Sequence, residues 1–182
     1  MDYKLFFGIA LMLLNINTAR ADLYLEISAE AGGDELISTN TTDSISAGGG
    51  IKLAIGVQTP VNYDGSTLIR LSAGYLFDNI LAYNGEADFS AVTFDAMLIN
   101  YLGPHALGVG LTTHLSPEYS DDVIGYNPEF IEYDDALGVV LQYSFQFRNG
   151  LELGARITDL TYESGSIKQD AGSIGIFLSN GF

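Results

Sequence analysis

The last twelve residues, AGSIGIFLSNGF (Ala171–Phe182), alternate between two kinds of side chain. One parity is apolar and the other is small or polar, with Ile174, Ile176, Leu178 and Phe182 against Ser173, Gly175 and Ser179. A two-residue period is typical of a β-strand that has one apolar face. Because chain termini are normally poorly ordered, a strand that runs to the final residue indicates that a sheet needs it there.

Composition restricts the class of protein. The chain has 182 residues, enough for a single closed domain. Its formal net charge of −16 disfavours nucleic-acid binding, because phosphate contacts need Lys and Arg. The sequence has no cysteine, which excludes disulfide, thiol and zinc-thiolate chemistry.

The first 21 residues have the pattern of a cleaved export signal. Lys4 supplies a positive charge, an apolar run follows at Leu5–Leu14, and the small residues Ala19 and Ala21 precede a cut before Asp22. The apolar run is too short to span a bilayer as a helix. We therefore expect a mature chain of residues 22–182, exported in a Gram-negative bacterium.

After residue 21 the apolar residues follow a two-residue period rather than a helical one. Eight segments show it, at about 23–31, 45–57, 67–77, 87–101, 106–115, 135–147, 151–162 and 171–182. The fourth is apolar on both faces, so its register stays open. Connections after the even segments are short, and Asn149-Gly150 is typical of a type I′ hairpin turn. Those after the odd segments, at 32–44, 78–86, 116–134 and 163–170, are longer and polar.

An even number of strands, with turns at one end and loops at the other, is typical of a transmembrane β-barrel. Tilted strands of this length cross a bilayer, and closure leaves no unpaired edge in lipid. We therefore predict an all-β fold in which residues 22–182 form a closed, eight-stranded antiparallel transmembrane β-barrel. The last strand would pair with the first, which accounts for the alternation up to Phe182.

Parity alone does not say which face is inside, since a soluble barrel such as a lipocalin has an apolar interior. Two features favour an apolar exterior. The segment LGVVLQYSFQF (137–147) places Tyr143, Phe145 and Phe147 near the turn end, where an interfacial aromatic girdle belongs. The charged parity is also rich in glycine, which suits a narrow, crowded lumen.

The strand pattern resembles the small eight-stranded outer-membrane barrels, the class of the OmpA membrane domain and OmpX. Ile176, Leu178 and Phe182 resemble the C-terminal signal that the barrel assembly machinery recognises in this class, although Asn180 is polar where the class usually has a hydrophobic residue. The resemblance implies a multi-pass β-barrel in the Gram-negative outer membrane, in contact with its lipids, with lipopolysaccharide and with the assembly machinery. A resemblance of architecture implies no activity.

Charged residues fall on the parity assigned to the lumen: Glu26, Lys52, Arg70, Asp95 and Arg156. The first three lie at similar depth on adjacent strands, and the other two lie a little further along. Charges inside a barrel this narrow must pair, because an isolated buried charge is very costly. We predict a structural salt-bridge cluster, and the alternative is a gate in a narrow channel.

His114 and Ser116 resemble the His-x-Ser pair of the outer-membrane lipid A 3-O-deacylases, which are also eight-stranded barrels. In such a hydrolase the serine is the nucleophile, the histidine is its base, and an acid such as Glu129 orients the base. Pro117 follows the serine where that family has asparagine, and the family's spacing for the acid falls on Pro128. His114 also shares the lumen parity, so we expect a polar lumen residue rather than a catalytic one.

The segment 116–135 is acidic and contains interleaved aromatic residues. Its carboxylates include Asp121, Asp122, Glu129, Glu132 and Asp134. Such groups could gather a divalent cation, but the spacing matches no calcium-binding loop, so we predict a solvated surface loop. Its aromatic residues indicate contact with lipopolysaccharide through divalent ions, or a partner-binding surface.

These patterns predict a non-enzymatic, monomeric envelope protein with a structural, adhesive or partner-binding role. We expect no cofactor, no bound metal and no nucleic-acid partner. An outer-membrane lipid hydrolase and a narrow gated channel are the alternatives.

Overall fold

The computed structural model of the protein describes residues 21–38, 44–82, 85–123 and 128–182, so the predicted signal peptide up to residue 20 lies outside the described part. The strands within these ranges are β1 (Asp22–Ala31), β2 (Glu35–Ser38), β3 (Ser44–Ser46), β4 (Gly50–Pro60), β5 (Thr67–Ala82), β6 (Gly85–Leu102), β7 (His105–Val123), β8 (Glu129–Glu132), β9 (Ala136–Gln146), β10 (Leu151–Asp159), β11 (Thr161–Ser164), β12 (Ile167–Asp170) and β13 (Ser173–Gly181). In the described ranges no helix is long and apolar enough to span a membrane.

Eight of these strands form a closed antiparallel barrel in the order β1-β4-β5-β6-β7-β9-β10-β13, and β13 pairs back to β1. Closure reaches the last residue. The Leu23 N–H donates to Phe182 O (3.1 Å), and the Phe182 N–H donates to Leu23 O (2.8 Å). The predicted fold class is confirmed, because the final strand supplies the hydrogen bonds that leave the barrel without an edge.

The two faces of the barrel wall differ sharply. In β13 the side chain of Ile176 is 65 % exposed, whereas that of its neighbour Phe177 is 1 % exposed. Each barrel strand presents exposed apolar side chains, for example Leu25, Ile55, Tyr75, Phe94, Val109, Leu141, Ile157 and Ile176. Charged and polar side chains are buried inside. An apolar exterior around a polar interior is the arrangement of a transmembrane barrel and the reverse of a lipocalin.

The short connections lie at the end where the chain termini meet. The hairpin at Asn149-Gly150 is correctly predicted, but the predicted turn type is wrong. Gly150 has φ +86°, whereas the only described non-glycine residue with a positive φ is Ser116. The Gly150 N–H donates to Phe147 O (3.0 Å), which makes a three-residue loop that ends on a left-handed glycine rather than a type I′ turn.

At the opposite end, residues 45–49 do not begin the second barrel strand, contrary to the prediction. Ser44–Ser46 forms β3, which pairs with β2, and the barrel strand β4 starts at Gly50. Gly48 and Gly50 have φ values of +77° and +123°, a conformation that glycine adopts without steric cost. The chain therefore turns here, although the alternation of apolar residues continues through it.

The predicted loops 78–86 and 116–134 are also largely strand. β5 runs to Ala82, β6 begins at Gly85, β7 runs to Val123, and β8 pairs with the end of β7. We call residues 78–82, 85–90, 118–123 and 129–132 the outer ribbon. A β-bulge between Ser90 and Val92 in the β6–β7 pairing separates the ribbon from the barrel. The ribbon continues the sheet beyond the apolar exterior, so its polar residues mark one face of a sheet rather than a loop.

Candidate functional site

Four of the predicted lumen charges form one network, which we call the charge ring. Lys52 Nζ is 3.0 Å from Asp95 Oδ2 and 3.7 Å from Glu26 Oε1. Arg156 Nη2 is 2.7 Å from Glu26 Oε2, and its Nη1 is 3.7 Å from Asp95 Oδ2. The Tyr24 hydroxyl donates a further hydrogen bond to Glu26 Oε2. Each cation therefore contacts both anions, and all four charged side chains are buried.

The fifth predicted member of the cluster, Arg70, pairs with Glu152 rather than with a residue of the charge ring, contrary to the prediction, and the sequence analysis had not assigned Glu152 to the cluster. Arg70 Nη2 is 3.1 Å from Glu152 Oε1, and Gln58 Oε1 accepts hydrogen bonds from Arg70 Nε (3.1 Å) and Nη2 (2.8 Å). The Tyr101 hydroxyl donates to Glu152, and the Tyr24 ring lies 3.9 Å from the guanidinium carbon. The lumen thus holds a second, smaller ion-pair group.

The fully buried charges of the lumen balance one another. Three buried cations, Lys52, Arg70 and Arg156, face three buried anions, Glu26, Asp95 and Glu152. A buried charge is tolerated when it is paired and hydrogen-bonded, and the loss of one partner is strongly destabilising. The ring pairs join strands that are one to three positions apart around the barrel, and Arg70–Glu152 joins strands on opposite sides of the lumen.

Glycines make room for these side chains. A Cβ atom on Gly154 would lie 2.4 Å from Phe177 Cζ, one on Gly110 would lie 2.3 Å from Met97 Sδ, and one on Gly108 would lie 2.6 Å from Gln142 Cγ. Such approaches are far closer than atoms pack. The glycine-rich inward parity accordingly belongs to a lumen that is filled by side chains.

The outer end of the lumen is closed by an apolar core, which we call the aromatic plug. Its aromatic members are Phe89, Tyr119, Tyr133 and Tyr162, packed with aliphatic residues such as Ile45, Leu76, Ile80 and Leu160. The Tyr162 ring lies 5.8 Å from Phe89 and 5.5 Å from Tyr133, centroid to centroid. Burial raises the pKa of the Tyr162 hydroxyl above its ordinary value. The sequence analysis did not predict this plug. The aromatic residues of the acidic segment were the feature from which a buried core at this end could have been predicted.

The outward face of the outer ribbon is acidic. Exposed carboxylates occupy it on three strands: Glu86 and Asp88 on β6, Glu118 and Asp122 on β7, and Glu132 on β8. Glu86 lies directly opposite Asp122, and Glu118 lies opposite Glu132. Opposed like charges destabilise a sheet, so the ribbon depends on its inner face, where Phe89 and Tyr119 pack into the plug. The exposed side chain of Phe130 lies on the acidic face.

Basic residues scarcely reach this end of the protein. Of the five Lys and Arg residues after position 21, three are in the lumen, Arg148 is beside the Asn149-Gly150 turn, and Lys168 is in the β11–β12 hairpin. Lys168 is ion-paired with Glu163. The outer surface is therefore strongly negative.

The structure does not bring the two predicted hydrolase residues together. His114 is buried on the lumen side, where its Nδ1 lies 2.6 Å from the Tyr162 hydroxyl. Ser116 is exposed, has φ +45°, and donates its backbone N–H to Asp135 Oδ1 (3.0 Å). The side chain of Glu129 lies outside the described part. The wall of the barrel thus separates the imidazole from the hydroxyl that it would have to activate.

The remaining acidic residues of this segment occupy different surfaces. Asp121 accepts a hydrogen bond from the Tyr119 hydroxyl (2.9 Å), Asp122 and Glu132 lie on the outward ribbon face, and Asp134 is exposed beyond β8. Within the described ranges, no group of three or more His, Asp or Glu side chains is arranged to hold a metal ion.

The last strand presents to the exterior the residues that the sequence analysis predicts as an assembly signal. Ile176, Leu178 and Phe182 are exposed, and all three have the outward parity. Asn180 shares this parity, and its Oδ1 lies 3.1 Å from the position that a Cβ on Gly150 would occupy. The side chain of Asn180, which departs from the class pattern, thus packs against the adjacent turn and is half-buried.

Comparison with known proteins agrees with this architecture. No protein-family model matches the sequence, and no curated protein is detectably similar to it. Among solved structures, the chain is similar to Ail, the attachment invasion locus protein of Yersinia pestis, in complex with the heparin analogue sucrose octasulfate. The TM-score is 0.55 at 10 % identity, covering 89 % of this chain and 97 % of Ail.

It is also similar to Neisserial surface protein A (NspA), with a TM-score of 0.56 at 14 % identity over 90 % of this chain and 99 % of NspA. At these identities the likeness concerns the fold. The protein is therefore an integral membrane β-barrel with the architecture of the small eight-stranded outer-membrane proteins.

Proposed function

We propose that this chain is a non-enzymatic protein of the Gram-negative outer membrane that holds a rigid acidic surface outside the bilayer for contact with a partner. The observation that carries the proposal is the outer ribbon. It extends the barrel sheet beyond the apolar exterior, packs its inner face into the aromatic plug and exposes five carboxylates on its outer face. A surface fixed to a folded core binds without a large ordering cost.

The charge of this surface selects the class of partner. Ail binds a heparin analogue, sucrose octasulfate, which is a polyanion. The outer ribbon repels such a ligand, because its exposed face has carboxylates and the one cation nearby is already paired. The proposed contact is therefore with a cationic surface, or with lipopolysaccharide through divalent cations.

Neither alternative activity gains support from the site. A lipid hydrolase would need His114 and Ser116 on the same side of the wall. A channel would need a continuous path through the lumen, whereas the charge ring, the Arg70–Glu152 pair and the aromatic plug occupy its described length. We propose that the barrel is monomeric, because its strands close on themselves, and that Ile176, Leu178 and Phe182 serve its assembly.

A binding experiment tests the proposal. The full chain, reconstituted in lipid nanodiscs, would be compared with a variant in which the ribbon carboxylates become amides: Glu86→Gln, Asp88→Asn, Glu118→Gln, Asp122→Asn and Glu132→Gln. The control for position, Asp22→Asn with Asp64→Asn, neutralises two exposed carboxylates at the turn end. The probes are oligolysine and sucrose octasulfate.

We expect the unmodified chain and the turn-end control to bind oligolysine, the ribbon variant to lose most of that binding, and none of them to bind sucrose octasulfate. Equal oligolysine binding by the ribbon variant would contradict the proposed surface. A change in the acyl pattern of lipid A that depends on Ser116, seen by mass spectrometry of cells with and without the protein, would contradict the non-enzymatic assignment.

A further inference from the structure

The positive charge that the lumen does not use is concentrated at one corner of the turn end. Of the five Lys and Arg residues after position 21, three are paired in the lumen and Lys168 is paired with Glu163. Among the cations that the structure describes, Arg148 alone has no ion pair, and its side chain is exposed. His105, the exposed one of the two histidines, lies at the same corner, because it pairs with Phe145, shortly before Arg148 in the chain.

This corner has no exposed acidic side chain of its own, although the chain has a formal charge of −16. Residues 96–117 and 136–151 include β9, the turn after it and the parts of β6 and β7 nearer the turn end, and they contain no Asp or Glu. Glu152, the next residue, is buried and paired in the lumen. The exposed carboxylates of Asp22 and Asp64 belong to β1 and to the turn between β4 and β5. The local field therefore attracts an anion.

An aromatic cluster on the exterior holds the imidazole of His105 in place. The Tyr143 hydroxyl lies 2.7 Å from His105 Nδ1, and the two rings are stacked with their centroids 6.0 Å apart. Phe145 meets the imidazole edge-on at 5.4 Å, and Phe147 meets Phe145 in the same way at 5.2 Å. With the Tyr143 hydroxyl donating to Nδ1, the proton of the neutral imidazole is on Nε2. The cluster then presents Nε2 as an oriented hydrogen-bond donor.

The cluster faces lipid at the level of the headgroups. His105, Tyr143 and Phe147 are exposed on the same outward face as Leu107 and Leu141, which lie further from the turns. Aromatic residues at the ends of the apolar band lie at the membrane interface of a barrel, and the short turns face the periplasm. A lipid bound here would have its headgroup at the turn and its acyl chains along β7 and β9. This placement fits a lipid better than a soluble anion.

We propose that Arg148 and His105 bind the phosphate of a glycerophospholipid in the periplasmic leaflet of the outer membrane. The Arg148 guanidinium donates two hydrogen bonds to the phosphate oxygens, and His105 Nε2–H donates a third. Arginine suits this role because its planar fork matches the geometry of a phosphate. The site lies at the opposite end of the barrel from the outer ribbon, so it does not depend on the function proposed for the ribbon.

Native mass spectrometry of the full chain in detergent, with limiting phosphatidylglycerol added, measures the retained lipid. We expect the unmodified chain to retain one molecule and Arg148→Gln to weaken its binding by about tenfold, the effect of losing one charge-assisted contact. His105→Gln should weaken it by less. The matched control is Lys168→Gln, which removes the exposed cation at the outer end by the same substitution. Equal retention by Arg148→Gln and Lys168→Gln would overturn the proposal.

Two further probes separate the phosphate from the acyl chains. One is glycerophosphate, and the other is a diacylglycerol glycolipid that has no phosphate. We expect neither to bind at the concentration at which phosphatidylglycerol is retained. Retention of the glycolipid to the same extent would show that the corner recognises acyl chains alone, and equal binding of glycerophosphate would show a site for soluble anions. Either result would overturn the assignment to a phospholipid.

The two histidines give a readout at the site itself. In lipid nanodiscs containing the chain with ¹⁵N-labelled histidine, phosphatidylglycerol should shift the imidazole nitrogen signals of His105 relative to nanodiscs of the phosphate-free glycolipid. The signals of His114, which is buried in the lumen, are the internal control and should stay unchanged. Arg148→Gln should reduce the His105 shift. Identical His105 signals in the two lipids would show that no phosphate lies beside the imidazole and would contradict the proposal.

Discussion

At the scale of single residues, neighbours in the sequence lie in different environments. Ile176 is exposed on the exterior and Phe177 is buried in the lumen, where its ring lies near Arg156. Strand geometry enforces this alternation, since successive side chains point to opposite faces. A substitution should therefore be judged by its parity and its depth in the barrel before its chemical type is considered.

The Arg70–Glu152 pair should be a large contributor to stability. The change Glu152→Gln leaves the buried Arg70 guanidinium without its counter-charge, and we expect a loss of about 3–5 kcal/mol in the free energy of unfolding. Urea titration of the refolded barrel, followed by circular dichroism, measures it. Glu163→Gln is the control, because it removes a solvent-exposed ion pair with Lys168 that should contribute about 0–1 kcal/mol. Equal effects of the two changes would contradict the structural role of the lumen pair.

Lumen glycines should tolerate no side chain. A Cβ on Gly56 would lie 2.0 Å from Leu71 O, a backbone atom that cannot move without shifting a strand. We expect Gly56→Ala to destabilise the barrel by about 1–3 kcal/mol, through overpacking. Gly49→Ala is the matched comparison, since its nearest contact would be an ordinary 3.4 Å. Thermal unfolding of the two variants in the same detergent tests this, and an unaffected Gly56→Ala would show that the wall has more room than its packing indicates.

At the scale of elements, the outer ribbon is one sheet with two unlike faces. Its inner face contributes Phe89 and Tyr119 to the aromatic plug, and its outer face carries the carboxylates. Cross-strand hydrogen bonding continues through Ser90–Glu118 and beyond to Gly85–Val123. Only the inner face of the ribbon is buried, and the opposed carboxylates on its outer face weaken the sheet. Packing of the inner face against the aromatic plug is therefore what stabilises the ribbon.

The two ribbon phenylalanines should differ strongly in their response to truncation. Phe89→Ala empties a fully buried position in the plug, and we expect a loss of about 3–5 kcal/mol together with faster amide exchange at residues 85–90 and 118–121. Phe130 lies on the exposed face of the same ribbon, so Phe130→Ala should change neither property by much. Hydrogen–deuterium exchange read by mass spectrometry compares them. Fast exchange of the ribbon in the unmodified chain would contradict its assignment as sheet.

At the scale of the whole molecule, the closure of the sheet into a barrel and the filling of its lumen by side chains are separate properties. The ring of eight strands is complete from Leu23 to Phe182, which removes every sheet edge from the barrel. The interior is then occupied by ion pairs towards the turn end and by the aromatic plug at the outer end. An apolar exterior around this interior is stable in a bilayer and unsuited to water.

Because the barrel is closed, we predict that it stays folded in detergent until it is heated. Outer membranes of a Gram-negative host that expresses the full chain should give one gel mobility unboiled and another after boiling, because the closed barrel unfolds only when heated. Co-fractionation with a resident outer-membrane protein is the control for location. A soluble periplasmic product without a mobility shift would contradict the membrane barrel.

Because side chains fill the lumen, we predict that the barrel does not conduct ions. Purified protein in a planar bilayer should give no single-channel steps at protein amounts at which a general porin, the positive control, gives many. Reproducible ion-selective steps, abolished by Glu152→Gln or altered in selectivity by it, would instead show that the lumen charges form a gate.

The sequence alone determined the barrel and most of its wall. A two-residue period is local, since it follows from strand geometry, and the strands at 67–77 and 106–115 lie wholly within observed strands. The inward positions of Glu26, Lys52 and Arg70 follow from the same parity. The ends of strands β5, β6 and β7 were less predictable. Their outward residues are polar, so the sequence there resembles a loop unless the partner strand is known.

Only the tertiary structure decided which lumen charges meet and what fills the outer end. Arg70 pairs with Glu152, which is 82 positions later in the chain, because tilted strands bring β5 and β10 across the lumen from one another. The register of β6 was open in a sequence that is apolar on both faces, and its pairing with β5 and β7 sends Thr93, Asp95 and Met97 inward. Parity assigns a side chain to a face, whereas its partner across the lumen depends on the tilt and register of all eight strands.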